Sequence, residues 1–404
     1  MNIKKKLVFT LIIIFIVISA GISTFFIITS IVPNQETLES KIRGLMTKYK
    51  VPSLATGIII NNSLIWANGF GEQPDLNTVY MIGSITKTFT ATALLQLNES
   101  NLINLDDDIN DYLPFDVRHP NYSSNPITIH MLLTHTAGLA RDLYYRIYYL
   151  DDQLIEWMNE NIGANIPPFE RPPLEEFLNG SLHLEGPYYN HSNWDSEPGT
   201  KFLYSNTGFL ILGYIIEEIT NQTLEDYFEE NIFIPLNMTS TKYNYTEFNE
   251  RNAIPYEWID DTKYQLPLYN LFYSGAGALR STVPDLAKFL IVHMNQGDYN
   301  GVQLLSPESV ELMHEKHIPI PGSTVYYGLG WVIYEDGIQG HDRATFGYLA
   351  NMYFKESGQG SYGMMVMFNH GCSIVPDIGF LTGFYTKITE LLLERAEYLF
   401  NQPS

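Results

Sequence analysis

The sequence predicts an α+β fold, in which strands from both ends of the chain form one antiparallel sheet flanked by helices. Two features support this prediction. β-type runs lie near the start of the chain, at "LATGIII" and "LIWANGF", and they return near its end. Between them, residues 98–270 contain short amphipathic helical patterns, aromatic clusters and Pro-rich loops such as "IPPFERPPLEEF". We expect this middle stretch to be a mainly helical insertion that forms the second wall of a cleft.

The N-terminal segment is expected to hold the chain in a membrane. Residues 7–32 carry no charged side chain, and as a helix they would extend about 39 Å, more than a bilayer core of about 30 Å. We therefore predict a single-pass anchor in residues 1–32, with the preceding lysines in the cytoplasm and residues 33–404 outside the cell membrane. The alternative is a cleaved signal peptide, which would leave the protein secreted, but the apolar run exceeds the usual signal core.

The other elements follow from local patterns. Residues 33–50 have a helical pattern that ends before Pro52. The two early β-type runs flank "NNS", which predicts a tight turn between two strands. "MIGSITKTFTATALLQL" predicts a buried helix that begins near Ser84. Three late runs, "VYYGLGWVIYE", "ATFGYLANMYFK" and "SYGMMVMFNHG", predict strands, and "TKITELLLERAEYLF" predicts a closing amphipathic helix.

Composition narrows the classes of function. The chain has 404 residues, of which 45% are hydrophobic and 17% charged, as in globular proteins. Its net charge of −22 repels phosphate backbones, so we expect no nucleic-acid partner. Cys372 is the only cysteine, which excludes an internal disulfide bond. The histidines lack the spacing of a helical zinc motif, so we expect neither a metal nor a cofactor.

Ser84 and Lys87 form the only Ser-x-x-Lys motif of the chain. Positions i and i+3 share a helix face, so the lysine amine can reach the serine hydroxyl. A desolvated lysine loses its proton more readily and can then accept the serine proton, while a helix N-terminus stabilises an oxyanion. The alternative is an ordinary helix cap followed by a surface charge, because the motif occurs about once in a chain of this length from average composition.

Further motifs accompany this pair. "MIGSITKTFTA", "LLTHTAGL", "EPGTKFLYSNTGFLILGYIIEEIT" and "GAGALRSTVPDLAKFL" follow one another along the chain. Together they resemble the serine β-lactamase-related family, which includes class C β-lactamases, low-molecular-weight penicillin-binding proteins such as DD-carboxypeptidases, D-aminopeptidases and some esterases. The resemblance extends from about Thr37 to Phe400. It implies a β-lactamase/DD-peptidase-like fold and one serine hydrolase domain over residues 33–404.

The resemblance also implies roles for individual residues. Tyr204 and Asn206 match the family's Tyr-x-Asn motif, so Tyr204 is expected to take part in proton transfer with Ser84 and the leaving group. Asn206 is expected to hydrogen-bond the substrate's amide or carbonyl group. The alternative for Tyr204 is one more aromatic residue in a chain with 28 tyrosines. His135, in "LLTHTAGL", is expected to be a hydrogen-bonded structural histidine beneath the site.

The family's third motif departs from its usual form. No Lys-Thr-Gly is present, and "QGHDRATFGYLA" places His341 at the position of the lysine or histidine and Arg343 where the family has glycine. We hypothesise that Arg343 narrows the acyl pocket and excludes bulky β-lactams, or that it binds a substrate carboxylate. By resemblance, the oxyanion hole would use the backbone N–H groups of Ser84 and Ala344.

These residues predict an exported, membrane-anchored serine hydrolase that acts through an acyl-enzyme. Its acyl donor is expected to be a small molecule or peptide with an amide or ester bond, such as a D-amino-acid peptide or a small ester. Two alternatives stay open. Arg343 could obstruct the cleft of a catalytically silent binding or scaffold protein, and a β-lactamase or transpeptidase would use the same residues. Neither the substrate nor the oligomeric state follows from the sequence.

Overall fold

A computed structural model describes residues 37–140, 150–259, 262–371 and 380–402, and for Arg343, Leu381 and Thr382 it describes the backbone alone. The chain divides into two compact units, residues 1–48 and 49–404. The predicted membrane segment, residues 7–32, lies outside the described residues. Within the described ranges, no helix is both long and apolar enough to cross a bilayer.

The second unit is built around an eight-stranded antiparallel sheet with the order β2-β1-β14-β13-β12-β11-β10-β9. Its strands are β1 (Ser53–Ile60), β2 (Ser63–Gly71), β9 (Ile318–Pro319), β10 (Val325–Tyr327), β11 (Val332–Tyr334), β12 (Ile338–Thr345), β13 (Tyr348–Ser357) and β14 (Gly360–Phe368). Leu54 of β1 lies opposite Phe368 of β14, so strands from the two ends of the chain are neighbours in the sheet. The predicted α+β fold with one antiparallel sheet from both chain ends is confirmed.

Among the described residues, shorter strands pair in three further two-stranded antiparallel ladders: β3 (Tyr80–Met81) with β6 (Arg280–Ser281), β4 (Tyr256–Ile259) with β5 (Thr262–Gln265), and β7 (Asp298–Tyr299) with β8 (Val302–Gln303). The described helices are α1 (Leu38–Lys48), α2 (Thr86–Glu99), α3 (Ile129–Leu133), α4 (Asp152–Ile162), α5 (Leu174–Leu182), α6 (Asn206–Thr220), α7 (Leu224–Phe228), α8 (Val283–Met294), α9 (Pro307–Met313) and α10 (Thr386–Phe400). The stretch predicted to be a helical insertion thus contains helices α3 to α7, together with the β4–β5 hairpin, which the sequence patterns did not predict.

Strands β1 and β14 are largely apolar because both of their faces are covered. β1 and β14 are buried along almost their whole length. Helices α8 and α10 both contact these two strands. A strand that is covered on both faces needs a continuous apolar sequence rather than an alternating one, as "LATGIII" and "MMVMF" show.

Two of the predicted late strands are divided by turns. "VYYGLGWVIYE" forms β10 and β11, and "ATFGYLANMYFK" is split between β12 and β13 at Phe346 and Gly347. Gly347 has φ +73°, and a Cβ atom added there would lie 2.4 Å from Cβ of Pro255. This position therefore requires glycine, both for its backbone conformation and for the close approach of the Pro255 segment. The closing helix α10 begins and ends where the sequence predicted.

Candidate active site

Ser84 lies in a short 3-10 turn that precedes helix α2. Strand β3 pairs with β6, and the chain then forms the turn Gly83–Ile85 before α2 begins at Thr86. The cap residue of α2 is Ile85, which makes no side-chain capping bond. Ser84 is therefore not the helix cap of the alternative interpretation, and the helix begins two residues later than predicted. The Ser84 side chain is left with a different partner.

That partner is Lys87, whose side chain is fully buried. Its Nζ donates to Oγ of Ser84 at 3.2 Å, to Oδ1 of Asn206 at 2.7 Å and to the carbonyl oxygen of Ala276 at 2.5 Å. These contacts use all three donors of an ammonium group. The surface-charge interpretation of Lys87 is therefore wrong.

The predicted Tyr204-Ser205-Asn206 motif lies at the start of helix α6, opposite Lys87. Ser205 caps this helix, and its Oγ accepts a hydrogen bond from the backbone N–H of Gly208 at 3.4 Å. The Tyr204 ring centroid lies 5.1 Å from Nζ of Lys87 and 4.3 Å from the ring of His135. The structure thus brings Ser84, Lys87 and Asn206 into one hydrogen-bonded group, with the Tyr204 ring beside it.

A buried chain of side chains connects this motif to strand β12. Nδ1 of His135 accepts from the backbone N–H of Ser205 at 3.2 Å, and Nε2 of His135 lies 3.2 Å from Oη of Tyr327. Oη of Tyr327 also lies 3.2 Å from Nε2 of His341, whose Nδ1 lies 2.9 Å from the carbonyl oxygen of Asp342. The prediction that His135 is a hydrogen-bonded structural histidine is confirmed.

If both imidazole rings are neutral, the hydrogen bonds that join His135, Tyr327 and His341 have only one self-consistent donor-to-acceptor direction. His135 accepts at Nδ1, so its ring proton is on Nε2 and is donated to Tyr327. The Tyr327 hydroxyl is then donated to Nε2 of His341, and Nδ1–H of His341 is donated to Asp342. Tyr327 therefore bridges two segments that lie on either side of the candidate site.

Strand β12 carries the predicted third motif and packs against the Gly83–Ile85 turn. β12 pairs with β13 over its whole length, whereas among the described residues its pairing with β11 is limited to Gln339 and Gly340. Residues 341–345 consequently line an edge of the sheet next to Ser84. Such an edge is suited to binding an extended substrate backbone.

The structure describes the three predicted residues of this edge to different extents. His341 is buried, with 2% of its surface exposed, and its ring points towards Tyr327. Ala344 lies opposite Leu349 of β13, close to the end of the strand. The side chain of Arg343 lies outside the described residues, so both hypotheses about it stay predictions.

Sequence reasoning missed two groups that complete the candidate site. One is the carbonyl group of Ala276, which accepts from Lys87 and lies within "SGAGA". The backbone of this segment packs closely against helix α6, because a Cβ atom added to Gly275 would lie 2.5 Å from the carbonyl oxygen of Phe209. The glycines on either side of Ala276 were the signal for this close backbone approach. The other group is Tyr327, in "YYGLGW", for which no local pattern distinguishes a bridging hydroxyl from a core aromatic ring.

In the parts of the chain that the structure describes, no three His, Cys, Asp or Glu side chains are placed to hold a metal ion. The polar contacts around Lys87 instead join one amine to three oxygen atoms.

A sequence profile described as Beta-lactamase matches residues 38–375 of the chain. The chain belongs to the beta-lactamase family. The family resemblance that the four motifs predicted is thereby confirmed, and the match includes Ser84, Tyr204 and the His341 strand.

Two curated relatives are similar to most of this chain. "Protein flp" of Staphylococcus aureus (strain NCTC 8325 / PS 47) is 25% identical over 356 residues, which cover 85% of this chain and 65% of flp. "Putative D-alanyl-D-alanine carboxypeptidase" of Escherichia coli (strain K12) is 26% identical over 362 residues, covering 79% of this chain and 76% of that protein. The chain thus spans about two thirds of the length of flp.

A solved structure supports the same assignment. The octameric penicillin-binding protein homologue from Pyrococcus abyssi superposes with a TM-score of 0.71 at 27% sequence identity. The match covers 88% of this chain and 77% of that one. The α+β arrangement described above is therefore the beta-lactamase/DD-peptidase fold.

Proposed function

We propose that this chain is a serine hydrolase that cleaves an amide or ester bond through an acyl-enzyme formed on Ser84. The observation that carries the proposal is the buried contact between Nζ of Lys87 and Oγ of Ser84, at 3.2 Å. A buried amine beside a serine hydroxyl is the arrangement needed to activate the nucleophile.

The contacts of Lys87 fit both protonation states that the reaction requires. As an ammonium group, Nζ donates to Ser84, Asn206 and Ala276. As a neutral amine it has two hydrogens and one lone pair, so it can still donate to Asn206 and Ala276 while the lone pair accepts the Ser84 proton. The two acceptor oxygens therefore hold the amine in place while its charge changes.

The reaction proceeds in two halves. Oγ of Ser84 forms a bond to the substrate carbonyl carbon as its proton passes to Lys87, and the carbonyl electron pair moves onto oxygen. That oxyanion is bound by the backbone N–H groups of Ser84 and Ala344. The bond to the leaving amine or alcohol then breaks, and the leaving group takes a proton through Lys87 and Tyr204. Water attacks the acyl carbon, and its proton returns along the same path to release Ser84.

The same geometry and the relatives support a proposal for the substrate class. The edge formed by residues 341–345 suits a peptide backbone, and one relative carries the name "Putative D-alanyl-D-alanine carboxypeptidase". We therefore propose a D-amino-acid peptide or a small ester as the acyl donor. The absence of Lys-Thr-Gly makes efficient β-lactam hydrolysis a weaker candidate. A transpeptidase would differ only in using an amine instead of water.

A fluorophosphonate probe tests the proposal directly. We expect the folded protein to be labelled on Ser84, and Ser84→Ala to abolish both labelling and hydrolysis of D-alanyl-D-alanine peptides and p-nitrophenyl esters. Ser100→Ala, at an exposed helix end, is the matched control and should react normally. Absence of an adduct on Ser84 in folded protein would contradict the proposal.

We further propose that residues 7–32 anchor the protein, with residues 33–404 outside the cell membrane. The support is the uncharged apolar length of this segment and the lysines before it. The full chain should resist carbonate extraction from membranes, and its C-terminal part should be cleaved by external protease on intact cells. Recovery of the full chain in the soluble cell fraction would contradict this proposal.

A further inference from the structure

The turn between β12 and β13 is held at a single peptide unit, the one that joins Phe346 to Gly347. Its carbonyl oxygen accepts a hydrogen bond from Oη of Tyr269 at 2.6 Å, and its N–H donates to Oε1 of Glu257 at 2.9 Å. Both of these side chains are fully buried. Because the two polar groups of one peptide unit have separate buried partners, the unit cannot rotate without breaking at least one of these bonds.

Glu257 is a carboxylate without contact to solvent. A buried carboxylate is stable only where it accepts hydrogen bonds, and a backbone N–H binds a charged oxygen more strongly than a neutral one. The packing leaves this group little freedom, because a Cβ atom added to Gly371 would lie 2.2 Å from Oε1 of Glu257 and 2.4 Å from the backbone nitrogen of Gly347. The carboxylate therefore fixes the position of the Gly347 N–H.

The hydroxyl group of Tyr269 contacts the last residue of β12 as well as the turn. Burial raises the pKa of Tyr269 well above its ordinary value, so the hydroxyl keeps its proton and donates it to the carbonyl oxygen of Phe346. Oγ1 of Thr345 lies 3.1 Å from the same Oη. Since the single hydroxyl hydrogen of Tyr269 is already used, Thr345 is the donor in this second bond. Tyr269 thus fixes both the end of β12 and the turn that follows it.

The backbone of Tyr269 is connected to the turn that contains Ser84. Its carbonyl oxygen accepts from Nη2 of Arg280, a fully buried side chain of β6. β6 pairs with β3, and the N–H of Ile82, directly after β3, donates to the carbonyl oxygen of Leu279 at 2.9 Å. Ser84 follows two residues later. Hydrogen bonds between buried residues therefore connect the turn after β12 to the turn of the candidate nucleophile.

The turn after β12 also determines the position of Ala344. A two-residue turn makes Thr345 and Tyr348 the hydrogen-bonded pair at the end of the hairpin, and the register places these two residues opposite each other. We therefore expect the backbone N–H of Ala344 to point away from β13, towards the edge next to the Ser84 turn. The two N–H groups of the proposed oxyanion hole thus lie on segments that the hydrogen bonds of Tyr269 join.

We propose that Tyr269 and Glu257 are positioning residues for the oxyanion hole. By holding the peptide unit of the turn, they fix where β12 presents the N–H of Ala344 relative to that of Ser84. The inference rests on the proposed hydrolase function and adds two residues that act through β12. Negative charge on the substrate oxygen develops only in the transition state, so a displaced hole lowers kcat much more than it raises KM.

Two esters that differ in the atom entering the hole test this proposal. p-Nitrophenyl acetate has a carbonyl oxygen there, whereas its thionoester analogue has a sulfur atom, which is larger and accepts hydrogen bonds weakly. We expect Tyr269→Phe to lower kcat/KM for the oxygen ester by about tenfold or more, through kcat, and for the thionoester much less. The ratio of the two rates should therefore fall. A partly unfolded sample lowers both rates equally and leaves the ratio unchanged.

Glu257→Gln is the second variant. It keeps the size of the side chain and an acceptor oxygen but removes the charge, so the same ratio should fall by a smaller factor. If Tyr269→Phe does not fold, Glu257→Gln decides the question by the same ratio.

Tyr227→Phe is the matched control, since it also removes one buried hydroxyl, which donates to Oε1 of Gln96 at 3.3 Å instead of to the turn. It should keep the wild-type ratio. An unchanged ratio in Tyr269→Phe, or an equal fall in Tyr227→Phe, would overturn the proposal. The hydrolase proposal fails on a different result, the absence of a Ser84 adduct in the wild-type protein.

Discussion

At the scale of single residues, Lys87 is the centre of the candidate site. It is the side chain that contacts Ser84, and two oxygens from other parts of the chain hold it in place. Three acceptors and full burial make its position far more constrained than that of a surface lysine.

Lys87→Met should keep the fold and abolish most of the activity. Removal of the amine leaves Ser84 without a general base, which is expected to lower the rate of probe labelling by about 10²- to 10⁴-fold. The labelling rate is measured in quenched time courses, and the melting temperature is measured in parallel. The two measurements separate a loss of reactivity from a loss of folded protein. Lys316→Met, at an exposed position, should label at the normal rate, and near-normal labelling of Lys87→Met would contradict its role as base.

Tyr327 is a positioning residue that acts through its neighbours. Tyr327→Phe removes the hydroxyl whose oxygen lies within hydrogen-bonding distance of a ring nitrogen of both His135 and His341. We expect a destabilisation of about 1–3 kcal/mol and a lower kcat with little change in KM. A shift in the pH dependence of kcat would show that the motif of Tyr204 has lost its fixed orientation.

Its neighbour offers the control for this change. Tyr326→Phe removes a hydroxyl from a half-buried ring that lies over Lys316 and does not enter the His135–His341 chain. It should change neither stability nor kcat appreciably. If the two variants behaved alike, Tyr327 would be no more than a core aromatic residue.

At the scale of elements, the turn between β12 and β13 determines which residues face the site. The register places Thr345 opposite Tyr348, and the two-residue turn holds β12 against the Ser84 turn. A longer or distorted turn would shift this register, and with it every side chain of the edge.

Gly347→Ala should therefore destabilise the protein by about 2–4 kcal/mol, because it combines a left-handed backbone with a close contact to Pro255. Denaturant unfolding measures this free energy. Gly358→Ala is the matched control, because no atom lies within 4 Å of its added Cβ and its φ is not in the left-handed range. A loss of less than about 1 kcal/mol for Gly347→Ala would contradict the argument.

At the scale of the whole molecule, a contacting pair of histidines, the buried His293 and the half-buried His314, makes stability depend on pH. Nδ1 of His293 lies 3.2 Å from Nε2 of His314. Burial lowers the pKa of His293 well below its ordinary range and, as the largest cause, lowers the pKa of His314 to about 3. The unfolded chain binds these protons near pH 6.5, so the contribution of the pair is complete above pH 6.5 and decreases as the pH falls towards 3.

His314→Gln should weaken this dependence while leaving a polar group near His293. Between pH 7 and pH 5, the wild-type free energy of unfolding should fall by about 1–2 kcal/mol more than that of the variant. Urea unfolding at both pH values measures the difference. Parallel pH dependences would show that His314 keeps its ordinary pKa in the folded protein.

The sequence by itself determined the features that depend on residues close to one another along the chain. The pair Ser84 and Lys87, three residues apart, the hairpin of β1 and β2, and the closing helix could all be predicted from local spacing and periodicity, because the groups involved are held together by the backbone between them. The motif order also identified the family. Only the tertiary structure decided which distant atoms complete the site: Asn206 and Ala276 reach Lys87 from 119 and 189 residues away, and Tyr327 joins two motifs. Such contacts depend on how helices and strands pack and in which register they pair, and local sequence patterns carry no information on either.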